Sequence, residues 1–256
     1  MEIDFHTHAK WAKSADFSYA YYREMMRSAA LRGLKAVALT EHFDTRRFGE
    51  IYGILDREAL YSGSYYEVEG VKAFPGIEVD VAEGGHILLI GDRDGILEIR
   101  DRLDGHEEKG KHVGLERLLD LSEPYGCLRI GAHPYREQNP LCEADPEQLA
   151  RLDALDLNGR DLYRYGRAME SRVKALADGL GIAVVAGSDS HQPLQFGCVA
   201  NRLARRCDTA TQLRETVRQG GCRYRLSPRL DAMVRSAEAE QARYKREGWP
   251  PGIAGA

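Results

Sequence analysis

Cysteine is scarce and scattered. Five cysteines in 256 residues (Cys127, Cys142, Cys198, Cys207 and Cys222) include no CxxC pair, which excludes a zinc ribbon and gives no sign of a disulfide framework. Long apolar runs are missing too: none approaches the roughly 20 residues that a membrane-spanning helix needs. Neither sign of charge dominates. The net charge is −4 with acidic and basic residues interspersed, so no strong nucleic-acid surface is expected, and the short clusters DTRRF and RLARRC read as solvated faces. The opening residues MEIDF enter a strand at once, with acidic side chains where a secretory leader would be basic, so a reducing cytoplasm is the expected setting. Internal repeats and low-complexity linkers are also lacking. What remains is an ordinary composition, 43% apolar and 30% charged, on a chain long enough for one barrel-sized α/β domain.

Against this background the histidines stand out by their company. Six of the eight lie in short runs with other metal-ligand types: His6 and His8 in DFHTH, His42 in LTEH, His86 in GGHILLIG, His133 in GAHPY and His191 in GSDSH. A strand puts residues i and i+2 on one face, so His6 and His8 can aim at one point, whereas a helix would turn them about 200° apart. SDSH repeats that spacing with Asp189 and His191. Glu78, at the end of the apolar run PGIEVDV, offers a carboxylate able to bridge two cations. Imidazole with carboxylate suits zinc, manganese or iron. His106 and His112, in the charged stretch DGHEEKGKH, read instead as solvated surface residues.

Strand and helix patterns alternate from MEIDF through the helix FSYAYYREMMRSAALRGL, capped by Gly33, to KAVALTEH, and on through the strand IAVVAGSDSH. Such repetition predicts a parallel sheet closed into a barrel. All candidate ligands fall at strand C-terminal ends, the active rim of such barrels, except His86, which opens its strand. Residues 43–70 interrupt the alternation, either as a loop overhanging the rim or as a helical excursion. The run from 228 to 256 reads as a charged helix with a Pro/Gly tail, appended to a single domain over 1–256.

Taken in order, DFHTH, GLKAVALTEH, GIEVD, GAHP, DLNGR and AGSDSHQP resemble the PHP family, named for its polymerase and histidinol phosphatase members, over roughly residues 1–200. The resemblance implies a distorted (β/α)7 TIM-like barrel with two or three divalent metal ions (zinc, manganese or iron) at the C-terminal rim. It implies His6, His8, His42, Glu78, His133, Asp189 and His191 as ligands, His86 as a further one, with Asp92 after the same strand as its alternative, and Asp16 in place of the ligand that follows HxH. The implied activity is a metal-dependent phosphoesterase, acting through activated water on a small phosphomonoester, histidinol-phosphatase-like among the possibilities. Asp189 or His191 would then assist proton transfer, and Arg136 and Arg160 would grip the phosphate. Two other classes stay open: a hydrolase of a different bond on the same scaffold, and a non-catalytic module that keeps metals for stability.

Overall fold

The computed structural model describes residues 1–247. Its first half runs β1 (Glu2–Thr7), α1 (Tyr19–Leu31), β2 (Ala36–His42), α2 (Phe48–Glu58), β3 (Leu60–Tyr61), β4 (Tyr66–Val68), β5 (Val71–Asp80), β6 (His86–Ile90), α3 (Arg93–Arg102) and α4 (Leu115–Ser122). The second runs β7 (Leu128–Ala132), α5 (Pro146–Leu149), β8 (Ala154–Asn158), α6 (Gly159–Tyr165), α7 (Ala168–Leu180), β9 (Ala183–Gly187), β10 (Val199–Leu203), α8 (Ala210–Arg218), β11 (Cys222–Leu226) and α9 (Leu230–Glu247).

Helix α1 shows how the pattern dictates the element. Ser18 caps its N-terminus by accepting from the Tyr21 amide, and Tyr21, Tyr22, Met25, Met26 and Ala29 recur at helical spacing on the buried face. Gly33, at φ 86°, takes the left-handed turn that releases the chain into β2.

One sheet holds the strands in the order β11-β10-β1-β2-β5-β6-β7-β8-β9. The seven strands β1, β2, β5, β6, β7, β8 and β9 curl into a nearly closed wall. At its seam the Asp189 amide donates to the His6 carbonyl at 2.9 Å and the His8 amide to the Ser190 carbonyl at 3.0 Å. Ile3, Phe5, Ala38, Phe74, Leu88, Ile130 and Val185 belong to an inner apolar cluster, while a larger one lies between the strands and the surrounding helices. This is the expected distorted TIM-like barrel.

Its sheet, however, is mixed rather than parallel. β6 runs antiparallel to both β5 and β7, because only Val81 to Gly85 separate β5 from β6, too few for a crossover. β10 likewise pairs antiparallel with β1. Residues 43–70 form no overhanging loop: α2 buries Phe48, Ile51, Tyr52 and Leu55, and β4 pairs antiparallel with the start of β5. The expected C-terminal helix is α9, and the Pro/Gly tail lies outside the described residues. No described helix is long and apolar enough to cross a membrane.

Candidate metal centre

Strand register brings the ligand-type side chains to one level. His42 stands beside Glu78 in the β2–β5 pairing, Asp80 opposite His86 in the β5–β6 pairing, and His86 opposite Ala132, the residue before His133. The reversal of β6 resolves why His86 opens its strand: the N-terminus of an antiparallel strand lies on the rim where its neighbours end. Asp92, the alternative beyond the other end of β6, is therefore at the opposite pole, where it precedes α3.

Glu78 is the hub. Its Oε1 lies 3.4 Å from His6 Nε2, 2.6 Å from His86 Nδ1 and 3.2 Å from His133 Nε2, and its Oε2 lies 3.6 Å from His8 Nε2 and 2.8 Å from His42 Nδ1. Asp189 Oδ1 stands 3.2 Å from His8 Nε2 and 3.7 Å from His6 Nε2. The His191 and His42 rings stack on that of His8, with centroids 4.0 and 4.4 Å away. Three groups thus form, His8–His42–His191, His6–His8–Asp189 and Glu78–His86–His133, each with ligand atoms within 4.8 Å of one another.

The donor set fits divalent cations. Ligands about 2.0–2.2 Å from one ion lie roughly 2.8–3.6 Å from each other at octahedral to tetrahedral angles, which matches five of these seven nitrogen–oxygen separations. His6 Nε2, both nitrogens of His8, His42 Nδ1, His133 Nδ1 and Glu78 Oε2 are buried without a hydrogen-bond partner. His42 Nδ1 and Glu78 Oε2 in particular are close but not aligned for a hydrogen bond, a juxtaposition of lone pairs that a cation satisfies. The electrostatics agree. Burial would raise the Glu78 and Asp189 carboxyls, yet the charges of His42, His86 and His6 around Glu78, and of His6 and Arg136 around Asp189, hold both well below the usual range. Burial would lower His8 and His86, but their carboxylate neighbours push each up to about 9. His133 and His191 are pushed down to about 3, by burial and then by Arg136 and by His8 respectively. The buried carboxylates are thus held ionised while His133 and His191 are held neutral, the forms in which each kind of group ligates a cation.

Carboxylates behind the ligands orient them. Asp156 Oδ2 is 3.1 Å from His6 Nδ1 and accepts from Asn158 Nδ2 at 3.0 Å. Glu41 Oε1 is 3.5 Å from His8 Nδ1, while its Oε2 accepts from the amides of Ala9 and Lys10. Asp80 Oδ1 stands 3.0 Å from His86 Nε2. These three were missed in the sequence, where the available signal was a carboxylate inside or beside an otherwise apolar strand.

Two sequence expectations need correction. Asp16 is exposed and faces Arg46 and Arg47, and it joins none of the three groups. The loop after β1 carries it outward. Nor is the Asp189/His191 spacing that of a strand: β9 stops at Gly187, and Asp189 adopts φ 57°. His133 is also left-handed, at φ 31°. Each costs on the order of 1–3 kcal/mol of local strain, the kind held at functional sites by surrounding structure.

Around the centre, Arg136 is already committed. It donates to Asp161 at 2.9 and 3.1 Å, to Asp189 Oδ2 at 2.9 Å and to Asn158 at 3.3 Å. Arg160 pairs with Glu238 of α9 at 3.1 Å, beside Asp189 and His191. An open cleft of about 730 Å³, lined by Asp44 and Asp80 among others, lies next to the centre through Asp80, the partner of His86. His112 lines it with an edge toward Phe43, so it belongs to the cleft rather than to the outer surface. His106 bonds the Lys111 carbonyl and stays apart.

Comparison with known proteins agrees with this architecture. Residues 171–222 match a family model described as PHP-associated. No curated relative matches the sequence. Among solved structures, PsfC from Pseudomonas syringae PB-5123 superposes with a TM-score of 0.79 at 21% identity, over 94% of this chain and 98% of that one. The lesion-specific endonuclease PfuEndoQ from Pyrococcus furiosus superposes with a TM-score of 0.66 at 20% identity, over 87% of this chain but only 57% of its own. The chain thus shares the fold of these structures and carries a segment, residues 171–222, that matches the PHP-associated model.

Proposed function

We propose that the chain is a metal-dependent phosphoesterase that hydrolyses a small phosphomonoester by attack of water. The observation that supports this most is Glu78, a buried carboxylate whose two oxygens face two separate sets of imidazoles. Oε1, with His6, His86 and His133, would hold one divalent ion; Oε2, with His8 and His42, would hold a second, and His191 and Asp189 complete the set. Ions so placed supply an activated water and neutralise phosphoryl charge at neutral pH. The serines flanking Asp189 are buried and donate to backbone carbonyls, Ser188 to His6 and Ser190 to Gln192, and no covalent intermediate is needed.

The protein's own groups have distinct tasks. Asp189 has both oxygens committed, Oδ1 to the imidazoles and Oδ2 to Arg136; a His191 ring not engaged with an ion, held neutral by burial and by His8 and partly open to solvent, would take a proton from the attacking water and pass it to the departing oxygen. Arg136 holds Asp189 in place, and only what remains of its guanidinium can face a phosphate. Asp16 is not carried forward as a ligand. The open cleft beside Asp80 has room for the organic part of the ester.

A phosphodiester in nucleic acid is the second reading, favoured by the likeness to an endonuclease. The deciding experiment offers metal-loaded protein a panel of phosphorylated metabolites, p-nitrophenyl phosphate, abasic duplex DNA and representative amides and lactones in oxygen-18 water. Turnover of a monoester, abolished by chelator and by His8→Ala, with one solvent oxygen in released phosphate is expected. Cleavage of the DNA alone would transfer the assignment to the second reading, and hydrolysis of amides or lactones alone would reject both.

A further inference from the structure

Helix α9 ends the described chain by crossing the rim beside the metal centre. Gln241 Nε2 donates to the Trp11 carbonyl at 3.0 Å, and the Tyr244 ring meets those of Trp11 and Tyr21 edge-on at 6.2 and 6.5 Å. This docking places one carboxylate oxygen, Glu238 Oε1, 3.1 Å from Arg160 Nε and 3.0 Å from Arg164 Nη2, both on α6. Two guanidiniums share a single oxygen. Beneath them lies a cavity bounded by Asp189, His191, Gln192 and Arg160, with Glu238 and Gln241 as its outer wall, and only about 10 Å³ of it is free, room for one water. Gln192 is 1% exposed, and its side-chain nitrogen has no partner.

We propose that Arg160 and Arg164 form an anion subsite next to the metal centre and that Glu238, carried on α9, occupies it as an internal carboxylate which an incoming anion displaces. The chemistry is shared by a phosphate and a carboxylate, since each offers oxygens that accept from a guanidinium fork. The internal occupant makes α9 a selective closure: a ligand enters this subsite only if its anionic group competes with Glu238. The unpartnered Gln192 amide and the single-water cavity fit a pocket that is filled when α9 yields and shut when it is docked. That the anion is a substrate's phosphoryl group rests on the phosphoesterase reading; the subsite itself does not.

The test is calorimetric titration of inorganic phosphate, and separately of acetate, into metal-loaded protein. Glu238→Gln keeps the shape of the side chain and removes its charge. Partly exposed pairs of this kind are each weak, so phosphate affinity should rise roughly three- to tenfold with metal content unchanged. Glu238→Asp, which retains the charge, should bind as the parent does. In an Arg160→Gln background the gain from Glu238→Gln should vanish. Thermal melts of each variant show whether α9 remains docked. If Glu238→Gln melts as the parent does and binds phosphate no tighter, or if the gain persists without Arg160, the proposal is wrong. If phosphate tightens as expected but no phosphoester is turned over, the subsite stands and the activity reading falls. A gain with acetate equal to that with phosphate would assign the subsite to anions generally, with no preference for phosphoryl groups.

Discussion

Glu78 reached its position as the third-from-last residue of β5, and its neighbours explain why no other side chain would serve there. Five imidazoles approach within 3.6 Å of its two oxygens. Two divalent ions held this close repel each other strongly, and a shared anion is what offsets that repulsion. Glu78→Gln preserves the shape and removes the anion. Metal bound per chain, read by elemental analysis, should fall from about two ions to one or fewer, and turnover by at least roughly 100-fold, the scale seen when groups that tune metal affinity are lost. A full metal load with parental activity would remove Glu78 from the bridging role. The supporting carboxylates should act more gently: Asp156→Asn leaves every imidazole in place but weakens the anchor on His6 Nδ1, so metal affinity should drop by about 10–100-fold while the fold persists. Unchanged affinity, measured by competition with a chelating dye, would reduce Asp156 to a packing role.

At the scale of elements, the seam between β9 and β1 sets the geometry of the centre. A Cβ on Gly187 would stand 2.3 Å from the His6 Cβ and 2.8 Å from Asp156 Oδ1, so only glycine lets the two strands approach. Gly187→Ala should therefore cost on the order of 1–3 kcal/mol, the range for overpacking a dense interior, and should lower metal affinity by displacing His6. A melting temperature and metal content equal to the parent's would mean that the seam relaxes freely. The same seam shows what was legible beforehand. DFHTH announced two imidazoles that do converge, although His8 lies one residue past β1 and the pairing with β2 shifts register between Asp4 and Thr7, and the seven barrel strands could be read from their apolar runs. Pairing direction was not readable in the same way, since it depends on what a connection must span. The short turn at Val81–Gly85 was there to be seen, but the repeating strand–helix rhythm on either side outweighed it. The segments from β10 to β11 follow the last ligand and bear no ligand motif of their own. Asp16 failed for a related reason: its distance from HxH along the chain said nothing about which way the loop turns, and Arg46 and Arg47 hold it outward.

For the whole molecule, the centre ties together elements that are distant in sequence. Its ligand-type residues come from the ends of β1, β2, β5, β7 and β9 and the start of β6, so bound ions would together link six of the seven strands of the wall. An unfolded chain cannot assemble such a set, and binding to the folded state alone stabilises it by mass action. With free metal about 1,000-fold above the dissociation constant, each independent site contributes about 4 kcal/mol. A chain of this length gains roughly 2–4 °C of melting temperature per kcal/mol, so the loaded protein should melt roughly 8–16 °C above the chelated one for one tightly held ion, and higher for two. Scanning calorimetry with zinc, manganese or iron added back after chelation measures this directly, and far-ultraviolet dichroism shows whether the barrel survives without metal. The inner cluster of Phe5, Phe74, Leu88 and Ile130 is continuous and independent of the rim, so the chelated protein should still fold. Equal melting temperatures with and without metal would mean that the rim residues bind no cation tightly, and the proposed chemistry would lose its foundation. A large rise in melting temperature without any hydrolysis would instead favour a module in which the metals serve stability alone.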